Sequence, residues 1–184
     1  MTRQDNITAA SGLFNEDLNM IRDQLRRFIE TEVTAKAEPW EEEGKVPRDV
    51  LRRMGDLGVL GMRYDEQYGG AGLDVMSSVV LAEEVGRSTF GGFSATVLVH
   101  TDMASPHLEN AGTPEQKAHY LPKALNFDHQ WCQGYSEPGS GSDLASLKTF
   151  ADKDGDDYIL NGTKIWTTYA HYANKMFALV RTNR

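Results

Sequence analysis

The sequence predicts an α+β protein in which an all-helical part precedes a β-rich part. Apolar residues recur at three- and four-residue steps as far as about residue 127, a spacing typical of amphipathic helices. Beyond that point the apolar runs are short and are separated by turn residues, as in strands. We therefore expect an all-α N-terminal helical domain over residues 1–127, followed by a partial antiparallel β-domain over residues 128–184.

Three helices are predicted in the first half of the helical domain. The first is capped by Asn15 and carries its apolar stripe towards Pro39, where we expect it to end. A second helix begins at Pro47, since proline suits the first helical position. The glycine-rich segment Tyr68–Gly72 predicts a loop, and Asp74 is placed to begin a third helix.

The second half of this domain shows a further helix from about Phe93 to Met103, followed by a new start at Ser105-Pro106. Thr113 and Gln116 have the spacing of a capping box, in which each side chain bonds the other residue's backbone amide. The helix that they begin is expected to stop near Pro122, because proline lacks the amide that a helix interior needs.

Four candidate strands follow. Trp131–Ser136 alternates bulky and small residues, while Tyr158–Leu160 and Met176–Val180 are apolar runs of strand length. Asp154-Gly155 is typical of a hairpin turn. Because the sequence stops at Thr182-Asn183-Arg184 without covering the last strand, the sheet would keep an open edge, and we expect the chain to be the front portion of a longer protein.

Composition excludes several classes of function. The 184 residues include 19 Lys and Arg against 27 Asp and Glu, so the net charge of −8 argues against a nucleic-acid surface. The longest apolar runs, near Val79–Ala82 and Val97–Val99, are too short to cross a membrane. Met1–Asn6 resembles neither a signal nor a transit peptide, and the single Cys132 fits a reducing compartment, so we expect a cytoplasmic location.

Familiar catalytic patterns are absent. The sequence has no glycine-rich loop ending in Gly-Lys-Ser/Thr, and its five histidines include no pair with metal-ligand spacing, so no metal site is expected. We expect each histidine to be hydrogen-bonded or at the surface, and Cys132 to be a small buried residue.

Two segments have a composition suited to a ligand. In Ser136–Asp143, Gly139 and Gly141 allow close approach of the backbone, although Glu137 and Asp143 would repel a bare phosphate. An ordinary serine-glycine surface turn is the alternative. In Asn161–Thr168, a tryptophan beside two threonines can flank a flat cofactor, or it can be a core aromatic on a strand.

Taken together, these segments resemble the acyl-CoA dehydrogenase family of flavoenzymes. Tyr68–Gly72, Ala111–Lys117 with Tyr120–Pro122, Ser136–Asp143 and Gly162–Thr168 are each similar to a motif of that family, in the same order. The similarity extends from about residue 15 through nearly the whole chain. It implies a helical N-terminal domain, a middle β-domain and a C-terminal helical domain, of which only the first and part of the second are present.

The resemblance also implies FAD as cofactor. It places Trp166 against the isoalloxazine ring and Thr168 near the reactive ring nitrogen, and it gives Ser142 a second contact with acyl-CoA. Ser136 replaces the commoner threonine but keeps the hydroxyl, whereas Thr167 and Tyr169–His171 depart from the family's pattern. The residues implied to contact FAD are Gln133, Tyr135, Ser136, Gly141, Ser142, Trp166, Thr167 and Thr168.

The activity implied is α,β-dehydrogenation of an acyl-CoA thioester to a trans-2-enoyl-CoA, as in fatty acid metabolism. A glutamate removes the α-proton while the β-hydrogen leaves as hydride to the flavin, and electrons pass to an electron-transfer flavoprotein. That glutamate belongs to the family's C-terminal domain, so no catalytic residue is assigned here. We expect a homo- or hetero-oligomer, and the alternative function is a non-catalytic partner subunit or interaction module that retains the scaffold.

Overall fold

The computed structural model describes residues 14–183. The expectations for Met1–Asn6 and for the last residue, Arg184, fall outside this range. The described α-helices are α1 (Glu16–Phe28), α2 (Ala37–Glu43), α3 (Arg48–Asp56), α4 (Val75–Arg87), α5 (Gly91–Leu98), α6 (Ser105–Ala111) and α7 (Pro114–Leu125). The strands are β1 (Trp131–Gly134), β2 (Phe150–Asp154), β3 (Asp157–Asn161) and β4 (Lys175–Ala178).

Irregular helical turns connect several of these elements. Two are π-helical, Ile29–Val33 after α1 and Val99–Ala104 after α5. Three are short 3-10 turns, at Thr34–Lys36, Glu66–Tyr68 and Leu144–Ser146.

The first helix begins where the sequence predicts but does not end there. Asn15 Oδ1 accepts the backbone N–H of Leu18 at 2.8 Å, which confirms the predicted cap. Pro39 does not end the helical segment: it lies in the first turn of α2, where the amide that proline lacks has no intrahelical partner to lose. Gly44 ends α2 in a left-handed conformation (φ +70°).

In α7 as well, the predicted start is confirmed and the predicted end is wrong. The capping box of α7 is present, with Gln116 Oε1 accepting the Thr113 N–H at 2.9 Å. The expected stop at Pro122 is wrong, since α7 continues to Leu125. Leu121 and Ala124 are fully buried, and their burial outweighs the hydrogen bond that the proline removes.

The largest apolar core among the described residues lies between the helices of the first half of the chain. Its members come mainly from α1, α3, α4 and α5, and the residues with no exposed surface include Leu25, Met54, Val80, Val85, Phe93 and Val97. The loop after Glu66–Tyr68 packs beside it, and a Cβ at Gly70 would lie 2.0 Å from the Tyr64 carbonyl oxygen, so only glycine fits. None of the helices described over residues 14–183 has the length and apolar character needed to cross a membrane.

The β-rich part confirms the predicted α+β class and changes one detail of it. β2 and β3 form an antiparallel hairpin around Gly155-Asp156, as predicted. β1 and β4 pair in parallel, with Trp131 opposite Lys175, so the antiparallel expectation is wrong for this pair. A parallel pair needs a long crossover, and residues 135–174, which contain the hairpin, provide it.

His100 joins the helical part to the first strand. Its Nδ1 accepts the Trp131 N–H at 3.1 Å, and its Nε2 lies 2.9 Å from the Ala124 carbonyl oxygen, to which it donates. The ring is 1% exposed, and this burial lowers the pKa of His100 to about 4 because the imidazolium loses its hydration. The expectation of a hydrogen-bonded histidine is confirmed here.

The buried neutral His100 predicts loss of stability in mild acid. The unfolded chain binds a proton near the ordinary pKa of 6.5, whereas the folded chain resists protonation down to about 4. The contribution of neutral His100 to the free energy of unfolding is therefore fully present above the unfolded pKa. We expect the free energy of unfolding to fall by about 2 kcal/mol from about pH 7 to about pH 5. Urea unfolding at both pH values measures this change.

His100→Gln should be less stable at neutral pH and should show a flatter pH dependence, because the titrating ring is gone. His119→Gln, which removes an exposed ring, is the matched control. Its free energy of unfolding should depend on pH as steeply as that of the wild type. Equal slopes for the wild type and His100→Gln would contradict this account.

Candidate functional site

The loop after β1 folds back on itself through short backbone contacts. Glu137 N–H donates to the Ser140 carbonyl oxygen at 2.8 Å, and Ser140 Oγ donates to the Asp143 carbonyl oxygen at 2.8 Å. Gly139, Gly141 and Ser142 are exposed at the tip. The loop thus has a fixed base and an accessible backbone, which a ligand can approach.

Glu137 is a structural anchor under this loop. Its carboxylate accepts the backbone N–H groups of Lys148 at 2.6 Å and Thr149 at 2.9 Å, and it pairs with Lys164 Nζ at 2.8 Å. These partners stabilise the anion and lower the pKa of Glu137 to about 2. The predicted repulsion of an anion by Glu137 is therefore wrong, because Lys164 neutralises the carboxylate.

Lys164 also joins the two segments singled out in the sequence. Its Nζ donates to the Tyr135 carbonyl oxygen at 2.9 Å, and the neighbouring Ile165 N–H donates to the Ser136 carbonyl oxygen at 2.9 Å. The structure therefore brings Ser136 and the Trp166 segment side by side, although about thirty residues separate them in the sequence.

Trp166 has an unusual environment for so large an apolar residue. Its side chain is 87% exposed, and its backbone lies in the left-handed region with φ +56°. The core-aromatic alternative is therefore wrong, and residues 163–168 do not form a strand. The adjacent Thr167 Oγ1 is buried and finds no hydrogen-bond partner among the described residues. Thr168 is half-buried beside it.

Gln133 and Tyr135 use their side chains differently from Ser136. Gln133 Nε2 donates to the Met103 carbonyl oxygen at 3.1 Å. The Tyr135 hydroxyl lies 2.7 Å from His107 Nε2, and the His107 ring stacks on Phe177 with centroids 4.4 Å apart. Both predicted side chains thus contact the helical part.

Cys132, between these residues and Trp131, is 1% exposed, which confirms the expectation of a small buried residue. Burial also raises the pKa of its thiol. Nothing in its surroundings marks it as a nucleophile.

A cleft of about 300 Å³ borders the loop. One wall carries Thr149, whose Oγ1 is buried without a partner among the described residues. Gly162 also lines the cleft and packs directly against Thr149: a Cβ at Gly162 would lie 2.4 Å from that hydroxyl oxygen, so the close approach requires glycine. The cleft is lined by Glu137, Pro138, Gly139, Ser140, Ser146, Lys148, Thr149, Gly162 and Thr163.

These features fit a flat heterocycle better than a bare anion. The exposed indole of Trp166 offers a stacking face, and the half-buried Thr168 carries a hydroxyl that can bond a ring edge. The exposed loop around Ser142 supplies further polar groups without net positive charge. A flavin satisfies this set of donors and surfaces.

Comparisons with known proteins identify the family to which the chain belongs. The family model for the N-terminal domain of acyl-CoA dehydrogenases matches residues 15–128, and the model for the middle domain matches residues 132–184. The chain belongs to the acyl-CoA dehydrogenase family. This confirms the resemblance drawn from the four sequence motifs.

Individual relatives match this chain almost throughout its length. The (2S)-methylsuccinyl-CoA dehydrogenase of Cereibacter sphaeroides is 37% identical over 95% of this chain and 31% of that protein. The acyl-CoA dehydrogenase structure from Geobacillus kaustophilus has a TM-score of 0.88 and 36% identity, over 93% of this chain and 44% of that one.

The cofactor expectation is confirmed for the family. A glutaryl-CoA dehydrogenase from Mycobacterium smegmatis, solved in complex with FADH2, has a TM-score of 0.88 and 32% identity. The alignment covers 96% of this chain and 45% of that one. This chain therefore spans less than half the length of each of these three relatives.

The sequence analysis assigned no structural role to several residues that shape the candidate site. Lys164 stood in a recognised motif but had no assigned role, and its pairing with Glu137 depends on a loop closure that spacing does not reveal. Tyr169 was noted only as a departure from the family's pattern and His107 only as one of five histidines, because their contacts with Val46 and Tyr135 join distant segments.

The Glu137–Lys164 pair predicts a selective effect of removing the lysine. Lys164→Met leaves a buried carboxylate without its counter-ion, so we expect a lower thermal unfolding midpoint. The wild-type chain should also lose stability as the pH falls from about 4.5 towards about 2, since Glu137 must then be protonated, and Lys164→Met should lose less.

Lys148→Met is the matched control. It removes an equal charge from an exposed side chain but keeps the backbone N–H that Glu137 accepts. A fall in midpoint as large in Lys148→Met as in Lys164→Met would contradict the assigned role of the ion pair.

Proposed function

We propose that this chain is the N-terminal helical domain, residues 1–127, and the front of the middle β-domain, residues 128–184, of an FAD-dependent acyl-CoA dehydrogenase. Membership of the family and the share of the relatives' length that the chain covers support this assignment. The exposed strand residues Tyr158, Ile159 and Leu160, each more than half exposed, are the kind of surface that further strands cover.

The observation that carries the proposal is the placement of Trp166. An indole that is 87% exposed in a left-handed backbone contributes little to the folded chain by itself. Its neighbour Ile165 is nevertheless fixed to the Ser136 loop by a backbone hydrogen bond of 2.9 Å. A tryptophan held rigidly at its backbone but left bare at its ring suits a stacking role.

The proposed site assigns each residue a distinct role. Trp166 stacks against the isoalloxazine ring, while the hydroxyls of Thr167 and Thr168 address its polar edge. Ser136 and the loop through Gly141 follow the flavin, and Ser142 also contacts acyl-CoA. Gln133, in β1, and Tyr135, just after it, lie beside this loop, and their side chains contact Met103 and His107.

When bound, FAD supplies the hydride acceptor for the β-hydrogen of the substrate. This chain's residues bind and orient the ring, and the glutamate that removes the α-proton lies outside it. Glu137 does not serve as that base, because its carboxylate has three donors and its pKa is about 2. An acyl-CoA thioester as substrate and an electron-transfer flavoprotein as acceptor complete the proposal, with the intact protein an oligomer.

The second candidate is a non-catalytic partner subunit. A specific observation favours keeping it: a similar structure, with 34% identity and a TM-score of 0.76, is a complex of two named chains, ChsE4 and ChsE5 of Mycobacterium tuberculosis. Such a subunit would keep the scaffold and contribute an interface. The presence or absence of a base in the intact protein separates the two candidates.

Flavin binding tests the proposed site. The purified chain, incubated with excess FAD and freed of unbound cofactor, should retain visible flavin absorbance. Trp166→Ala or Ser136→Ala should weaken it, because the stacking face or the hydroxyl is lost. Tyr158→Ala, which removes an exposed aromatic ring from β3, should not. Equal weakening by Tyr158→Ala would contradict the assignment of the site.

A turnover assay tests the proposal that the catalytic base lies outside this chain. The 184-residue chain with FAD, acyl-CoA and an artificial electron acceptor should form no enoyl-CoA, since it has no assigned base. Product that depends on this chain, and that Glu137→Gln abolishes, would overturn the account of the missing base.

A further inference from the structure

The segment that carries Trp166 and Thr168 is not held by a sheet. Among the described residues, positions 166–173 form turns instead of strand pairs, with the Ala170 N–H bonded to the Thr167 carbonyl oxygen at 3.2 Å. Two non-glycine residues, Trp166 and Tyr169, take left-handed conformations with φ +56° and +59°. Such conformations persist only where the surrounding structure imposes them.

Restraints act at both ends of this segment. At its start, Ile165 N–H bonds the Ser136 carbonyl oxygen. At its end, Asn174 Oδ1 accepts the Gln130 N–H at 2.9 Å, and Asn174 Nδ2 donates to the Asp128 carbonyl oxygen at 3.1 Å. Neither restraint fixes the left-handed turn between them.

Tyr169 supplies a restraint in the middle. Its hydroxyl accepts the backbone N–H of Val46 at 3.0 Å, and its ring packs against the helical core. Val46 is 3% exposed and lies in the turn between α2 and α3, so its amide would be buried without a partner if the hydroxyl were absent. This single side chain therefore ties the turn after Thr168 to the helical domain.

Other aromatic rings gather on the outer side of Tyr169. His171 and Tyr172 have ring centroids 4.0 Å apart, and Lys45 Nζ lies 5.1 Å from the centroid of Tyr172. These rings surround the anchor but do not make its hydrogen bond to Val46.

We propose that Tyr169 is a positioning residue that holds Trp166–Thr168 in its flavin-facing conformation by anchoring the turn to the Val46 amide. The predicted effect on flavin binding rests on the proposed function. The anchoring of the turn by Tyr169 concerns only contacts within the chain and is testable without a cofactor. Tyr169 lies in the part of the sequence that departs from the family's motif after Trp166.

The test compares Tyr169→Phe with Tyr172→Phe. The first variant keeps the ring and removes the hydroxyl that accepts the Val46 N–H, and the second removes a hydroxyl from the adjacent ring. Labelling with 5-fluorotryptophan gives one fluorine resonance for each of Trp40, Trp131 and Trp166, and Trp166→Phe assigns the third. FAD titration of the same samples gives the dissociation constants.

Tyr169→Phe should shift or broaden the Trp166 resonance, leave that of Trp131 unchanged and weaken FAD binding about threefold to tenfold, as expected for one lost hydrogen bond. Tyr172→Phe should change neither measurement. An unmoved Trp166 resonance, or unchanged FAD affinity in a chain that binds FAD, would overturn the proposal. If Tyr169→Phe moves the Trp166 resonance but the wild-type chain binds no FAD, the anchor is supported and the proposed function is contradicted.

Discussion

The buried contact between Glu137 and Lys164 determines the geometry of the whole candidate site. Its 2.8 Å ion pair is combined with two backbone amides on the carboxylate and a backbone carbonyl on the ammonium group. Three stretches of chain therefore meet at one carboxylate: the end of β1, the start of β2 and the segment before Trp166. Because a buried charge needs every one of these partners, the loop and the Trp166 segment have little freedom to separate.

A second constraint comes from the helical domain. His100 bonds the first amide of β1, Tyr135 reaches His107, and Tyr169 reaches Val46. The β-rich part has few buried apolar residues of its own, and β3 is exposed along its length. The helical domain is therefore the rigid body against which the strands and the candidate site are positioned.

Sequence reasoning succeeded where local chemistry decides the structure. The caps at Asn15 and Thr113 and the hairpin at Gly155 follow from interactions within a few residues. It failed at two prolines: Pro39 lies in the first turn of α2, where a proline is tolerated, and at Pro122 the burial of Leu121 and Ala124 outweighed the local preference. The parallel pairing of β1 with β4 was equally out of reach, since it depends on contacts across the crossover.

In the candidate site, too, the sequence revealed the local motifs but not the contacts between distant residues. The motifs around Ser136 and Trp166 were visible because their composition is unusual, and the resemblance gave them a cofactor. The contacts of Glu137 and Tyr169 join residues far apart in the chain, and no spacing rule reveals them. The exposure of Trp166 was likewise not predictable from the sequence, because a tryptophan between an isoleucine and two threonines is equally typical of a buried strand.

The central claim is that Ser136–Ser142 and Trp166–Thr168 together form the flavin surface. Backbone amide chemical shifts of the isotope-labelled chain, recorded by NMR during an FAD titration, test it most directly. We expect the largest shift changes in these two segments, with smaller changes at Tyr169 and Val46. Changes concentrated instead in the cleft between α6, α7 and β4, around His107 and Tyr120, would contradict the account.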